Sequence, residues 1–433
     1  MNSLLALAAK AGTMLTSLVF GVLTARLILG TVGVEYYSLY ALLVAFPALL
    51  SFTDLGAGAV VVNGVATSDD PRTDPRVLVQ LTSVGRILVG FAAVTQCVNT
   101  VLLVTGGWNR LLGAAGEIDG AEIAAFLCLS VFACGVPVGI WVRILLGLRK
   151  NHLVILLQGL ISPLNFVLVW GILQVRDHRF AAELALSSFV ASFTVSVIGL
   201  TLTARMTRPL VHRALHQIPR PKQAPGTRVM DVGWPMLAQL LAAPIALASQ
   251  RYVLAQFGST HEVAEYSVAA QVFFALNGLV MAAGVTLWPT FARQRAQGTI
   301  QRGPGWLSAI FAVGVLLATG VVWLVRDELF AFTTNGEVEV SVSTVLSFGA
   351  MVTCSAILYP LGMFMMDKPG IRFQVIPALT MAAVSFGLSI PLTLVAGVQG
   401  PPLGNVLAVT VCQIIPFSIY VHRHRERLYA RSA

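Results

Sequence analysis

The chain has 433 residues, of which 56% are hydrophobic and only 11% are charged, and its formal net charge is +9. Soluble domains carry about 25% charged residues, and a mean hydropathy of +0.81 leaves too little polar surface for a soluble protein of this size. This composition argues against a soluble enzyme, a nucleic-acid-binding protein and a disordered chain. It predicts a protein of the lipid bilayer.

Twelve apolar segments follow one another along the chain. A membrane-spanning helix needs about 20 apolar residues, whereas the strands of a membrane β-barrel are about 10 residues long with alternating polarity. The segments are continuous and cover residues 4–29, 36–63, 77–105, 121–146, 153–175, 181–204, 229–256, 262–290, 303–325, 340–366, 372–396 and 400–421. We therefore expect an all-α, polytopic membrane protein with twelve transmembrane helices.

A basic segment, residues 205–228, separates the sixth apolar segment from the seventh. It divides the chain into an N-terminal lobe (1–204) and a C-terminal lobe (229–421), which a basic tail (422–433) follows. With a cytoplasmic N-terminus, the cytoplasmic loops, adjoining helix ends and tail hold 20 of the 28 Lys and Arg residues, and the outer loops hold five. Lys and Arg collect on the cytoplasmic side of membrane proteins. We expect both termini and the 205–228 linker to be cytoplasmic.

A short pattern occurs once in each half of the chain. Its members are Arg26, Gly33, Tyr37 and Ser38 in the first half and Arg251, Gly258, Tyr266 and Ser267 in the second. Because each half holds six helices, the two copies have the same orientation, as in a parallel repeat. Two six-helix lobes around a central cavity are typical of transporters that open the cavity to each side of the membrane in turn.

These motifs and their neighbours resemble those of a known family. Residues 25–30, 36–40, 54–56, 251–254 and 265–267 are similar to bacterial polysaccharide flippases of the O-antigen and teichoic-acid type. These flippases belong to the multidrug/oligosaccharidyl-lipid/polysaccharide (MOP) superfamily. Length, helix number and the division into six plus six also match, so the resemblance covers the whole chain.

The resemblance implies a MATE-like fold and a function in cell-surface polysaccharide biosynthesis. The protein would flip a polyprenyl-diphosphate-linked saccharide from the cytoplasmic to the outer leaflet of the plasma (inner) membrane, without a cofactor. Its implied partners are the lipid-linked oligosaccharide with its anionic diphosphate head group, membrane lipids, and other proteins of polysaccharide biosynthesis. No nucleic acid is expected, and the cysteines show no metal-ligand spacing.

Five polar residues of the apolar segments are candidates for binding the substrate. Arg26 and Arg251 occupy equivalent positions in the two halves, and guanidinium groups bind diphosphates bidentately. The alternative for both is that they extend to the outer membrane interface. Lys10 lies low in the first helix, where it meets an entering head group or anchors the inner interface. Gln239 and Gln250 are further candidates for lining the cavity.

Two opposite charges lie within neighbouring helices. Asp54 and Arg86 are each about ten residues, roughly 15 Å, from the cytoplasmic ends of their helices. Ionisable groups in a spanning helix are costly unless they face protein or water. We expect an ion pair that either holds the helix hairpin together or takes part in binding a coupling ion or head group.

Two other functions are the alternatives. A multidrug or cation antiporter of the same superfamily needs acidic residues in its cavity, but only Asp54 lies in a helix, against Lys10, Arg86 and Arg251. A membrane-integral glycan polymerase or transferase needs paired acids with room for a catalytic domain, and the outer loops are short. The sequence contains no ATP-binding or hydrolase motif and predicts no catalytic or metal-binding residue. The charge balance favours an anionic passenger.

Overall fold

The computed structural model describes residues 2–50, 58–174, 180–220, 246–297, 300 and 303–429. These residues form helices and turns and contain no β-strand. Within them, nine helical stretches are long and apolar enough to cross a membrane, and one of these, 369–423, covers two of the predicted segments. The protein is a polytopic all-α membrane protein, as the sequence predicts.

The chain forms two compact units, Met1–Leu240 and Leu241–Ala433. The helices of the first unit are α1 (Asn2–Val32), α2 (Val34–Leu49), α3 (Gly58–Thr67), α4 (Pro75–Val104), α5 (Gly107–Leu112), α6 (Ala121–Val138), α7 (Trp141–Gly147), α8 (Asn151–Gly159), α9 (Ile161–Leu173), α10 (Leu186–Met206) and α11 (Leu210–Gln217). The fourth and fifth predicted segments are thus each divided into two helices. Residues 205–217 of the predicted linker contribute to α10 and α11, and 221–228 lie outside the described residues.

The second unit is described from residue 246 onwards. Its helices are α12 (246–257), α13 (Thr260–Val285), α14 (Leu287–Gln297), α15 (Pro304–Leu324), α16 (Arg326–Thr334), α17 (Val342–Phe364), α18 (Lys368–Ala396), α19 (Gly400–Val409), α20 (Ile415–Arg423) and α21 (Arg425–Tyr429). Within the predicted tail, α21 is packed against the unit, since Leu428 is buried with Phe364 and Phe417.

Local side-chain chemistry fixes where the long helices begin. Asp74 caps α4: its carboxylate accepts a hydrogen bond from the amide of Arg76 at 2.8 Å and from the hydroxyl of Ser68 at 2.7 Å. These bonds, the one from Ser68 first, lower the pKa of Asp74. At α13, Ser259 and Glu262 form a reciprocal capping box. Each cap supplies partners for the backbone amides that the first turn of a helix leaves unpaired.

Glycine occupies the joint between the first two helices of each half. Gly33 has a φ of 87°, which other residues rarely adopt, and it joins α1 to α2. Gly258 joins α12 to α13, and a Cβ there would lie 2.8 Å from the carbonyl oxygen of Leu254. The glycine shared by the two copies of the sequence pattern therefore has a steric reason in both.

A close contact between α7 and α10 holds the core of the first unit. Trp141 is buried and lies against Gly199, where a Cβ would come within 2.8 Å of three ring atoms of the indole. The approach of the two helices depends on the missing side chain at this glycine. Gly171 of α9 offers the opposite case, because nothing lies within 4 Å of its Cβ position.

Gly199→Ala should therefore destabilise the protein, by about 1–3 kcal/mol as for other overpacked cores. Thermal unfolding of the purified protein in detergent measures the effect. Gly171→Ala is the matched control and should leave the unfolding midpoint almost unchanged. Equal midpoints for the two variants would contradict the packing of Trp141 described here.

Candidate functional site

The structure places the two predicted arginines in different units. Arg26 lies on α1 and Arg251 on α12, and both are half-buried. Gln250, next to Arg251, is completely buried. Asp54 and Gln239 fall in the ranges 51–57 and 221–245, outside the described residues, and so does the side chain of Lys10. The substrate-binding roles of all these residues stay predictions.

Gln250 and Arg251 converge on one tyrosine of α13. The hydroxyl of Tyr266 donates a hydrogen bond to Oε1 of Gln250 at 2.7 Å. The guanidinium carbon of Arg251 lies 5.9 Å from the centre of the Tyr266 ring, a distance at which a cation is attracted to an aromatic face. Nε of Arg251 and Nε2 of Gln250 are buried, and neither has a hydrogen-bond partner among the described residues.

Glu265, the residue before Tyr266, has a structural role. Its Oε1 accepts hydrogen bonds from the backbone amide of Ser341 at 3.0 Å and from the hydroxyl of Thr344 at 2.8 Å. A carboxylate at a helix N-terminus pairs with free amides and with the positive end of the helix dipole. Glu265 thus fixes the start of α17, and the second copy of the repeated pattern ties α13 to α12 and to α17.

Arg86 also holds backbone atoms. From α4 it donates to the carbonyl oxygen of Ile218 at 3.0 Å and to that of Gln217 at 2.8 Å. These carbonyls lie at the C-terminal end of α11, where helices have unpaired acceptors. Because Asp54 lies outside the described residues, its ion pair with Arg86 stays a prediction. The partners of Arg86 on α11 were not expected from the sequence.

A cavity of about 640 Å³ lies inside the first unit, among α2, α3, α4, α6, α7, α8 and α10. This volume is within the range of small-molecule sites, about 300–1,000 Å³. Most of the wall is apolar. Its polar side chains are Arg143, Gln158, Ser188, Ser192 and Ser196. None of the described residues that line the cavity is acidic.

The three serines form a ladder along α10. Ser188, Ser192 and Ser196, here called the serine ladder, are spaced four residues apart, so they share one face of the helix at intervals of about 6 Å. All three line the cavity. The spacing is visible in the sequence and could have singled out this face. Serine, however, is also common where spanning helices pack closely.

The other two polar side chains lie beside helix breaks. Pro137, near the end of α6, lacks the amide that would pair with the carbonyl of Ala133, and the chain turns at Gly139 and Ile140, which line the cavity. Arg143 follows three residues later, on α7. In the sequence this arginine is explained by the excess of positive charge on the cytoplasmic side, which is why its place in a cavity wall was missed.

Gln158 stands at the end of α8, which stops at Gly159. The ring of Pro163 removes the amide that would bond to the carbonyl of Gly159 and clashes with that carbonyl, so the helix restarts at Ile161. Among the described residues, no group of three or more His, Cys, Asp or Glu side chains is placed to hold a metal ion. The polar groups of the cavity wall are thus the hydroxyls of the serine ladder, the amide of Gln158 and the guanidinium of Arg143.

Comparisons with known proteins agree on one fold. The model of the family described as "Polysaccharide biosynthesis protein" matches residues 1–294. An inward-facing multidrug resistance MATE family transporter of the MOP superfamily has a TM-score of 0.68 at 16% identity, with 99% of each chain covered. Lipid II flippase MurJ, in an inward closed conformation, has a TM-score of 0.69 at 12% identity, with 97% of this chain and 87% of MurJ covered.

A third structure, a MOP superfamily transporter from Pyrococcus furiosus, is described as having a binding pocket of reverse polarity. Its TM-score is 0.53 at 14% identity, with 98% of this chain and 95% of that chain covered. At such identities the likeness shows the shared fold alone. None of the curated proteins matches the sequence significantly.

The contact between Tyr266 and Gln250 can be tested by removing one hydroxyl. Tyr266→Phe removes the donor that pairs with Oε1 of the buried Gln250 amide, and we expect a loss of about 1–3 kcal/mol in the free energy of unfolding. Tyr36→Phe, which removes the same group from a half-buried position on α2, is the control and should cost less. A thermal unfolding series in detergent compares them, and equal stability of both variants would rule out the buried bond.

Proposed function

Because the chain belongs to the polysaccharide biosynthesis protein family, we propose that it flips a polyprenyl-diphosphate-linked saccharide from the cytoplasmic to the outer leaflet of the plasma membrane. It would do so by alternating access, as a transporter without a catalytic step of its own, and with both termini in the cytoplasm. The fold, shared with MATE transporters and with MurJ, supports a membrane transporter.

The main support for the proposal is the lining of the cavity in the first unit. A saccharide offers many hydroxyl groups, and the serine ladder and Gln158 supply both donors and acceptors for them. Phe132, Phe189 and Phe193 also line the cavity and present apolar faces to the C–H sides of sugar rings. Arg143 suits a phosphate, because its guanidinium forms two parallel hydrogen bonds with such an anion.

The charge of the cavity argues against a cationic passenger. A cation antiporter needs a carboxylate to replace the water that its substrate loses on binding, and no described residue of the cavity wall supplies one. The only ionised group described there, Arg143, repels a cation. In the second unit, the buried Nε of Arg251 is a positively charged donor that has no acceptor among the described residues. Both observations favour an anionic head group.

The first test fills the cavity from the serine ladder. Ser192→Leu adds bulk and removes a hydroxyl, and we expect export of the lipid-linked saccharide to fall roughly tenfold, which corresponds to about 1.4 kcal/mol. Thr201→Leu is the control on the same helix, because Thr201 is exposed and its hydroxyl bonds to the carbonyl of Ile198 in its own helix. Lipid-linked intermediates are measured in a deletion strain that carries each variant.

The deletion strain itself provides the broader test. We expect it to accumulate a polyprenyl-diphosphate-linked saccharide on the cytoplasmic side, which the wild-type gene removes. A deletion strain without any such accumulation would overturn the flippase proposal. Normal export by Ser192→Leu, at wild-type protein levels, would overturn the role of the cavity while leaving the flippase proposal intact.

The paired arginines form a second, independent test of head-group binding. In Arg26→Ala/Arg251→Ala the two guanidinium groups at equivalent repeat positions are lost, and export should fall well below that of the wild type. Arg110→Ala, an exposed position on α5, is the control for the loss of a positive charge. If the double variant is well expressed and exports normally, neither arginine takes part in binding the diphosphate.

A further inference from the structure

The short helix α11 has two chemically different faces. Leu210, Val211 and Ala214 are buried, and they pack in one hydrophobic cluster with residues of α4 such as Leu81 and Val84. On the far side of the helix the polar residues are exposed. α11 is therefore an amphipathic helix whose apolar face is satisfied by the protein, which leaves the other face free for a different contact.

The C-terminal end of α11 is fixed as well as its apolar face. The two hydrogen bonds from Arg86 hold the carbonyls of Gln217 and Ile218, and the hydroxyl of Thr82 donates to Oε1 of Gln217 at 3.2 Å. At Gly85, between them on α4, a Cβ would lie 2.7 Å from the side chain of Ile218. These contacts set the rotation of α11 and hence the direction of its outer face.

The outer face is positively charged. Its exposed side chains, together with those of the flanking residues, are Arg205, Arg208, His212, Arg213, His216 and Arg220. The sequence from 184 to 230 contains no Asp or Glu, so no acid within this stretch neutralises the four arginines. Leu215 lies among them and is 51% exposed. An isolated apolar side chain between cations suits the boundary between lipid head groups and acyl chains.

We propose that this outer face binds the phosphate groups of anionic phospholipids at the membrane surface. The position of α11 supports a lipid: only three residues separate it from the end of α10, a membrane-spanning helix, at Met206. A basic surface so close to the end of a spanning helix meets the head groups of the adjacent leaflet, which attract Lys and Arg electrostatically. An acidic protein is the other partner of suitable charge, and the test below separates it from a lipid. The proposal does not depend on the flippase function.

The test measures stabilisation of the purified full-length protein by lipid. Phosphatidylglycerol or phosphatidylcholine is added to the protein in neutral detergent, and the unfolding midpoint is recorded against lipid concentration. For the wild type we expect phosphatidylglycerol to raise the midpoint by several degrees, saturably, because a ligand that binds only the folded state stabilises it. Phosphatidylcholine should have little effect. High salt should weaken the response, since exposed charges are screened.

Arg208→Gln/Arg213→Gln should lose most of the response to phosphatidylglycerol. Its midpoint in phosphatidylcholine should equal that of the wild type, because both side chains are exposed and the buried face is unchanged. Arg72→Gln/Arg423→Gln removes two other exposed positive charges and should respond as the wild type does. Inorganic phosphate at the same concentration is a further arm: a response to it equal to that of phosphatidylglycerol would indicate a free-anion site.

Two outcomes would overturn the proposal. In one, the wild type gains no more from phosphatidylglycerol than from phosphatidylcholine, which would leave an acidic protein as the partner of this face. In the other, Arg208→Gln/Arg213→Gln keeps the full response, or the Arg72/Arg423 control loses it to the same extent. The response would then belong to the overall charge of the protein.

Discussion

Inside a bilayer every backbone amide and carbonyl needs a partner within the protein, and this constraint determines where the helices of this chain can break. Two breaks among the described residues of the first unit, at Gly139–Ile140 and at Leu160, lie close to a proline, and the missing amide of Pro163 explains the one at Leu160. The polar side chains of the cavity that are not serines, Arg143 and Gln158, lie within three residues of these breaks. Helix breaks and cavity are therefore parts of one arrangement, as in transporters whose sites are built from discontinuous helices.

The same constraint explains what two half-buried arginines do. Arg86 holds the carbonyls at the end of α11, and in the second unit Arg295 donates to the carbonyls of Phe364 and Leu428 at 2.8 and 3.1 Å. Burial lowers the pKa of Arg295, although Asp367 nearby opposes this shift. Each unit thus uses an arginine to bind backbone acceptors around a short helix that follows its last spanning segment. Some of the charged side chains in the helices therefore have a structural role.

This finding changes how the charge balance of the sequence is understood. Arg86 was one of three basic residues whose presence in helices favoured an anionic passenger, and its described hydrogen bonds go to α11. The argument for an anion depends instead on Arg143, which lines the cavity, and on the buried Nε of Arg251. The proposed passenger is the same, but the residues that support the proposal are different.

Hydropathy was sufficient to predict the helices, since runs of about 20 apolar residues have few other possible structures. The repeated pattern of Arg, Gly, Tyr and Ser singled out the glycine that joins two helices in each half. The residues of the candidate site were harder to predict from the sequence. Arg143 satisfies the ordinary rule for cytoplasmic helix ends, so its sequence position carries no further signal. The contact between Arg86 and Gln217 joins residues 131 positions apart, and local pattern cannot predict a partner at that distance.

The structure also links α11 to the cavity through α4. Val84 and Leu88 line the cavity, and both belong to the hydrophobic cluster that buries Leu210 and Val211 of α11. α4 is thus a wall of the cavity and the support of α11, and the two are held together by the carbonyl bonds of Arg86 and by close packing at Gly85. A shift of α11 consequently displaces the cavity wall at Val84 and Leu88, because well-packed interiors transmit strain. The α6 wall of the cavity is tied to the same helix, because Nδ2 of Asn99 on α4 donates to the carbonyl oxygen of Phe126 on α6 at 2.9 Å. α4 is therefore the element that holds both the end of α11 and the α6 wall of the cavity in place.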